Sequence, residues 1–270
     1  MAAAALLSAP ATGKLPDGDE PKKGGHTSPF AVSLDRELQA TGQIAIDFRD
    51  FGRVLGWNFT RGLFAPENVF PLVLGGAATG LAYTFDEPVS DALRDDEYYW
   101  IAGWVGESGN VIGGPALQAA TIGTLLLITP FTENKKFRTF TFTLTQAVIL
   151  DTALKFALKL SISRERPDGS NDNSFPSGHT SSTTAFATVL QHYYGWKWGV
   201  PAYAVAGFVA LSRIEKGRHY LSDVVFGATV GYIAGFTAIR GTDRSLQPRQ
   251  LAVYPIVSRG KRGALVVWEF

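Results

Sequence analysis

The sequence predicts an all-α fold, a helical bundle of about six to eight helices with a short C-terminal β-hairpin. Apolar stretches without charge alternate with short polar loops, and the charged stretches space their apolar residues at helical intervals. Alternation with a period of two is absent until the last twenty residues. With 270 residues, of which 46% are hydrophobic and 18% charged, the chain can bury a sizeable core, and its composition leaves membrane insertion open.

Composition also excludes several classes of site. The chain has no cysteine, which excludes disulfides, thiolate zinc sites and cysteine nucleophiles. Its formal net charge is +1 and it has no long basic run, so we expect no nucleic-acid partner. No acidic cluster has the spacing of a metal site, so we expect no metal.

Three regions differ in character along the chain. Residues 1–30 are rich in Ala, Pro, Gly and Lys, which predicts a disordered leader. The first ten residues resemble the remnant of an export signal, but they lack a basic start and their apolar core is short, so a signal peptide is the weaker alternative. Residues 31–245 form the predicted helical domain, and residues 246–270 form a hairpin or tail.

The helical domain divides at its prolines and polar loops. An amphipathic helix is predicted from Asp35 to about Gly62, and Pro66 begins a second helix that continues into an uncharged stretch. Later helices are predicted at about 139–160, 178–194, 198–213 and 219–240. In the tail, two apolar runs flank Ser258–Gly263, which predicts the hairpin.

A short polar turn, Pro176-Ser177-Gly178-His179, stands at the start of the helix predicted near residue 178. The hydroxyl of Ser177 can accept a hydrogen bond from a free N–H group of the first turn. The first-turn N–H groups and the helix dipole favour an anion, and Gly178 lets the backbone approach it closely. His179 can exchange a proton near neutral pH. The turn therefore has the parts of an anion site with an acid–base group.

Two further clusters flank this turn and supply positive charge. Lys159 and Arg166 precede it, and Arg213 follows it. Phosphoryl transfer places negative charge on three equatorial oxygens, which fixed cations and oriented N–H donors stabilise. We therefore expect Lys159, Arg166, Ser177, Gly178 and Arg213 to bind phosphate.

His219 and Asp223 are the expected nucleophile and its partner. If both lie on one helix, their spacing of four residues puts their side chains on the same face. The carboxylate of Asp223 would then hold one ring N–H and leave the other nitrogen free to attack phosphorus. His179 would protonate the leaving alkoxide and later activate water.

The three clusters read Lys-x6-Arg-Pro from Lys159 to Pro167, then Pro-Ser-Gly-His, then Ser-Arg-x5-His-x3-Asp from Ser212 to Asp223. Together they resemble the signature of the type 2 phosphatidic acid phosphatase and vanadium haloperoxidase superfamily, over about residues 150–240. The resemblance implies a phosphohistidine intermediate on His219, His179 as the acid and an all-helical core. No cofactor is expected, with vanadate or phosphate as a competing anion.

The leading hypothesis is a metal-independent phosphatase acting on a phosphomonoester or pyrophosphate, with a lipid phosphate as substrate. Phosphatidic acid and an isoprenoid pyrophosphate are the examples considered. The alternatives are a vanadate-dependent haloperoxidase and a nonspecific soluble exported acid phosphatase. A non-catalytic helical membrane or scaffold protein is the weakest alternative, because it predicts a damaged signature and every motif residue is present.

Membrane association is predicted from length and charge. Four uncharged stretches approach the length of a bilayer span, and Lys and Arg cluster on the side opposite the site loops. This pattern predicts a membrane-associated protein with an extracytoplasmic, periplasmic active site; a soluble periplasmic protein is the close alternative. Asp151 and Lys155 would then have to face the bundle interior. The uncharged stretches are residues 68–85, 108–132, 198–212 and 224–239.

Other polar and aromatic residues near the motifs receive simpler interpretations. Arg164, Lys216 and Arg218 are expected to tune the charge of the site or to pair with Glu165 and Glu215. His26 and His192 are assigned to the surface. An aromatic run is assigned to the core, with a substrate entrance as the alternative: Tyr98, Tyr99, Trp100 and Trp104.

Overall fold

The computed structural model describes residues 4–7, 50–94, 99–246, 251–258 and 261–268, with side chains in 50–93 and 104–246. The chain divides into two units, one comprising Ala40–Ser245 and the other comprising Met1–Gln39 together with Leu246–Phe270. Each unit is described by itself.

The first unit is helical. Its described part begins with helical backbone over residues 50–57, which continues as a π-helical turn at Asn58–Gly62. Eight α-helices follow within the described residues, and this confirms the helical part of the predicted fold. They are α1 (Val69–Tyr83), α2 (Asp86–Arg94), α3 (Tyr99–Ile112), α4 (Pro115–Ile128), α5 (Lys135–Ser161), α6 (Gly178–Tyr194), α7 (Trp196–Glu215) and α8 (Leu221–Leu246).

Local sequence explains where several helices begin and turn. Pro66 opens the 3₁₀ turn before α1 and Pro115 opens α4, because the missing proline N–H costs nothing at a helix start. Asn134 caps α5 by accepting a hydrogen bond from the N–H of Phe137 at 3.1 Å. Gly195, with φ of +80°, allows the tight turn between α6 and α7.

The core lies where α5, α6 and α8 meet. Its fully buried side chains include Leu144 and Leu150 of α5, Val189 of α6 and Ala234 of α8. Phe140 packs edge-on against the ring of Tyr194 at a centroid distance of 5.2 Å, which extends the core toward the end of α6.

Three glycines of α8 face α6 at intervals of four residues, and we call Gly227, Gly231 and Gly235 the glycine face. A Cβ at Gly227 would lie 2.6 Å from the carbonyl oxygen of Ser177, and one at Gly231 would overlap the carbonyl oxygen of Ser181. The two helix backbones therefore touch along this face. As a result, the start of α6 is held against the start of α8, where the motif residues lie.

Asp151 and Lys155 face the bundle interior, as the sequence analysis required. Asp151 is fully buried, and its Oδ2 lies 2.7 Å from the Nζ of Lys155. The hydroxyl of Ser182 donates to the same carboxylate oxygen at 2.8 Å, and that of Ser181 donates to the other oxygen. The charges are thus paired between α5 and α6.

Two described helical stretches, Trp104–Phe131 and Leu221–Leu246, are long and apolar enough to cross a membrane. The buried share of the 18-residue apolar window is 11% in the first stretch and 67% in the second. Pro66–Tyr83 and Asp86–Leu93 pass the same test together and are bent by 65°, so they form a third candidate if they are one span. The predicted stretch 198–212 is not among the candidates.

The terminal unit is described only as backbone strands, β1 (Ala4–Leu7), β2 (Leu251–Ser258) and β3 (Lys261–Trp268), in the order β1-β3-β2. Both strand pairs run antiparallel. The supported fold class is the helical one, and the C-terminal hairpin as an element packed on the bundle stays a prediction. The leader predicted for residues 1–30 lies outside the described residues, apart from β1.

Candidate active site

All three sequence clusters meet at one end of the helical unit. The site is built from the ends of α5 and α7, the starts of α6 and α8, and the loop of residues 162–177. Lys159 at the end of α5 donates to the carbonyl of Asn173 in this loop at 2.7 Å. The N–H of Ser177 donates to the carbonyl of Asp223 at 3.0 Å, which joins the second cluster to the third.

His219 is buried and held by the backbone. Its Nδ1 lies 2.5 Å from the carbonyl oxygen of Ser174. A carbonyl oxygen can only accept, so Nδ1 carries the proton and Nε2 carries the lone pair. Burial, followed by the charges of Lys159 and Arg213, holds the pKa of His219 well below its usual range. The ring is therefore neutral at pH 7, with a nucleophilic nitrogen available.

The predicted geometry of His219 and Asp223 was wrong. Helix α8 begins at Leu221, so His219 precedes the helix and does not share a helical face with Asp223. The nearest carboxylate oxygen of Asp223 is 3.9 Å from Nδ1 of His219. That oxygen instead accepts from the hydroxyl of Ser174 at 2.5 Å and from the N–H of Tyr220 at 2.8 Å. Asp223 thus fixes the residue whose carbonyl orients His219.

For Arg164, the expected alternative of pairing with Glu165 or Glu215 was wrong. Its guanidinium bridges two buried carboxylates, with Nη1 2.7 Å from Oδ1 of Asp223 and Nη2 2.6 Å from Oδ2 of Asp86. Asp86 was not recognised as a site residue at all. The only signal in the sequence was its place at the start of an acidic segment, which does not indicate a partner 78 residues away.

The two other cations near the motifs also pair differently from the prediction. Lys216 lies 2.8 Å from the carboxylate of Glu107, and Arg218 lies 3.0 Å from that of Asp168. Neither pairs with Glu215. These contacts lie toward the rim of the site, where solvent weakens ion pairs.

The predicted phosphate-binding cations are concentrated beside His219. Arg213 is buried and donates from Nη1 to Oδ1 of Asn110 at 2.9 Å. Among the described residues, the Nε groups of Arg213 and Arg166 are buried without a protein acceptor. Burial, together with Arg166, lowers the pKa of Lys159 to about 8. Crowded cations with unsatisfied N–H groups favour an anion between them.

The turn at the start of α6 differs in one detail from the prediction. Ser177 is the residue before the helix, but its hydroxyl does not cap a backbone N–H; it lies 3.0 Å from the hydroxyl of Thr180. A Cβ at Gly178 would lie 3.5 Å from Cδ of Lys155, which is ordinary contact. The protein itself therefore does not require glycine there, and close approach to an anion stays a prediction.

His179 lies in the first turn of α6, where the backbone of Asn110 is close enough to its ring to favour the charged form. Burial, followed by the charges of Arg213 and Lys155, lowers its pKa to about 4. Asn110 therefore accepts from Arg213 and lies beside His179. Asn110 was not predicted as a site residue, because it lies inside an apolar stretch whose pattern indicates only a possible membrane span.

Two apolar cavities lie on either side of α6 next to the site. One, of about 360 Å³, is lined by Ile112, Thr183 and Phe186 among others, and Thr183 donates to the carbonyl of His179 at 2.9 Å. The other, of about 970 Å³, lies between α1, α6, α7 and α8 and is lined in part by Thr180 and Thr184. Each cavity is thus lined by threonines that closely follow the second motif in sequence.

The remaining predicted residues are partly described. The side chains of Tyr98, Tyr99 and Trp100 and the whole of His26 lie outside the described residues, and Trp104 is 72% exposed. His192 is exposed, as expected, and lies 3.5 Å from the carboxylate of Asp243. In the described part of the chain, no three acidic or histidine side chains are grouped to hold a metal ion.

Comparison with known proteins finds similarity centred on the motif region. The family model described as "PAP2 superfamily" matches residues 140–246. The chain is 46% identical over 80 residues to a lipid A 1-phosphatase of Porphyromonas gingivalis, covering 28% of this chain and 18% of that protein. It is 30% identical over 100 residues to a lipid A 4'-phosphatase of Helicobacter pylori, covering 37% of this chain and 48% of that protein.

These alignments span less than half the length of either relative. Among solved structures, the fold is similar to that of a transmembrane PAP2 type phosphatidylglycerolphosphate phosphatase from Bacillus subtilis. The TM-score is 0.56 at 22% identity, and the match covers 70% of this chain and 97% of that one. This likeness extends the shared helical fold beyond the motif region.

Proposed function

We propose that this chain, whose residues 140–246 match the PAP2 superfamily model, is a metal-independent phosphatase that hydrolyses a lipid phosphate. The observation that carries the proposal is the buried His219, whose Nδ1 is held by the carbonyl of Ser174 at 2.5 Å. Its Nε2 is thereby left as a free nucleophile among Lys159, Arg166 and Arg213.

The first chemical step transfers the phosphoryl group to the protein. Nε2 of His219 attacks phosphorus, the P–O bond to the lipid breaks, and the leaving oxygen takes a proton from His179. The product is a phosphohistidine whose ring is positively charged. The carboxylate of Asp223, 3.9 Å from Nδ1, favours that charge.

The second step hydrolyses the phosphohistidine and regenerates free His219. His179, now neutral, accepts a proton from water as the water oxygen attacks phosphorus, and the P–N bond to His219 breaks. Inorganic phosphate leaves, and His179 again carries the proton. Arg166 and Arg213 support both steps, because guanidinium groups with free Nε–H donors match the equatorial oxygens of the transferring group.

Three observations favour a lipid as the substrate. Apolar cavities lined by Thr183 and by Thr180, in the helix turns next to His179, offer space where an acyl or isoprenoid chain can lie. Two described helices are long and apolar enough to span a bilayer. The relatives from Porphyromonas gingivalis and Helicobacter pylori are named as lipid A phosphatases. Phosphorylated glycolipids therefore join phosphatidic acid and isoprenoid pyrophosphates as candidates.

The distribution of basic residues supports an extracytoplasmic, periplasmic site. Lys135, Lys136 and Arg138 begin α5 and Lys197 begins α7, whereas the motif residues of both helices lie at their opposite ends. Basic residues favour the cytoplasmic side of a membrane. The site would then open on the outer side, and a soluble periplasmic protein remains the alternative hypothesis.

The first prediction tests this function directly. Purified protein in detergent is expected to release phosphate from a phosphorylated lipid, with no loss of activity in EDTA and with competitive inhibition by vanadate. The assay compares phosphatidic acid, an isoprenoid pyrophosphate, a phosphorylated lipid A and p-nitrophenyl phosphate. Release from the soluble ester alone would contradict the lipid substrate. Vanadate-dependent halide oxidation without phosphate release would favour the haloperoxidase alternative.

The second prediction concerns the protonation of His179. In the absence of an anion its pKa of about 4 makes the ring neutral at pH 7. A phosphate dianion beside the ring favours the charged form, so saturating phosphate should raise this pKa by about one unit or more. Nitrogen-15 NMR of labelled histidines measures the shift.

The exposed His192 on the same helix is the internal control, and its signals should not respond to phosphate. An unchanged titration of His179 at saturating phosphate would exclude it as the proton donor to the leaving group.

A further inference from the structure

Asp86 and Arg164 form an ion pair that no sequence motif contains. The side chains of Arg164 and Asp86 are 21% and 5% exposed, and Arg164 lies between two carboxylates at 2.6 and 2.7 Å. Asp86 also accepts from the N–H of Ser222 at 2.7 Å and from its hydroxyl at 2.6 Å. The pair is therefore anchored to the first turn of α8, next to Asp223.

Arg164 is connected to the nucleophile by two routes that meet at Ser174. Its backbone carbonyl accepts from the N–H of Ser174 at 3.0 Å. Its guanidinium holds Asp223, which accepts from the hydroxyl of Ser174 at 2.5 Å. The carbonyl of Ser174 in turn orients His219. The guanidinium also stacks on the ring of Tyr220, 4.3 Å from its centroid, which fixes its plane.

The alternating charges of Asp86, Arg164 and Asp223 determine how much negative charge lies beside His219. Asp86, Arg164 and Asp223 together carry a net charge of −1 when all three are ionised. Because Asp86 compensates Arg164, the remaining negative charge belongs to Asp223, whose carboxylate lies 3.9 Å from Nδ1 of His219. Without Asp86, Arg164 would compensate Asp223, and the nucleophile would face a neutral pair.

We propose that Asp86 and Arg164 are positioning residues for the nucleophile: Arg164 fixes the carboxylate of Asp223, and Asp86 keeps that carboxylate's charge available to His219. This inference rests on the proposed function, because its effect on rate arises from the positive ring formed when His219 takes the phosphoryl group. The effect of these two residues on the protonation of the His219 ring does not depend on a substrate.

Kinetics of three variants test the charge argument. Asp86→Asn is expected to lower kcat about tenfold or more with KM within about threefold, because the lost field acts on the transition state. The double variant Asp86→Asn with Arg164→Gln restores the net charge of −1. Its kcat should be at least about threefold higher than that of Asp86→Asn alone. Glu87→Gln is the matched control, since Glu87 is the next residue of α2 and is exposed.

NMR titration of His219 gives a readout that is independent of turnover. Asp86→Asn should lower the pKa of His219 and Arg164→Gln should raise it, since the two changes alter the local charge in opposite directions. The other charges facing His219 stay the same in each variant: Lys159 from α5, Arg166 from the loop, Arg213 from α7 and Asp223 from α8.

The outcomes separate the two proposals. Equal kcat in Asp86→Asn and Glu87→Gln, no recovery in the double variant, or an unchanged His219 titration would each overturn the positioning role. If Asp86→Asn does not fold, Arg164→Gln alone decides through the titration. Phosphate release from no substrate, together with opposite shifts of His219, would reject the proposed function and leave the charge arrangement standing.

Discussion

Replacing His219 with alanine is expected to abolish phosphate release, with kcat lowered about a thousandfold or more. The substitution removes Nε2 of His219, the ring nitrogen that stays free because the carbonyl of Ser174 accepts from Nδ1. His219 lies in the turn before α8 and not within a helix, so the helical fold should survive. Steady-state kinetics, circular dichroism and acid-quench trapping of the phosphorylated protein measure these effects.

His192→Ala is the control for this experiment. His192 is exposed near the end of α6, so its removal should leave both the rate and the phosphorylated intermediate unchanged. Full activity in the His219 variant, or a phosphorylated intermediate that survives its loss, would assign the nucleophile to another residue.

Gly231→Val is expected to cause the largest loss of stability. A Cβ at this position would overlap the carbonyl oxygen of Ser181, and backbone atoms cannot move aside as a flexible side chain can. We expect a cost of about 3 kcal/mol or more, which corresponds to a fall in melting temperature of roughly 6 to 12 °C. Activity should fall with it, because this contact holds the starts of α6 and α8 together.

Gly207→Val provides the comparison. Gly207 lies in α7, where an added Cβ meets nothing within 4 Å, so the same change in side-chain volume has room. Valine also has a slightly better helix propensity than glycine, and the melting temperature in detergent should stay the same or rise slightly. A similar loss in both variants would mean that α6 and α8 do not depend on close approach at the glycine face.

Sequence reasoning identified the chemical groups of the site better than their geometry. Histidine, lysine and arginine carry their chemistry in the side chain, so their spacing at Lys159, His179 and His219 indicated phosphoryl transfer directly. The position of His219 before α8 was missed, although Gly217, with φ of +62°, provides a turn signal between α7 and α8. The helix predicted at 219–240 begins two residues before the observed start of α8 at Leu221.

The partners contributed from distant parts of the chain were beyond local reasoning. Asn110 is 103 residues from Arg213 in sequence, and Asp86 is 78 residues from Arg164. Their contacts exist only because α2 and α3 pack beside the motif helices, and helix packing depends on side-chain shape along whole faces. The helix bounds were easier: α6 was predicted at 178–194 and lies at Gly178–Tyr194.

The hydrogen bond from His219 to the carbonyl of Ser174 has a consequence for mutational scans. A main-chain oxygen is present whatever residue stands at position 174, so alanine scanning leaves the acceptor in place and cannot reveal it. The path of the loop thus sets the orientation of His219, the proposed nucleophile. Protein engineering that redesigns this loop must therefore preserve the direction of one peptide group in addition to the side-chain contacts of Ser174 and Arg164.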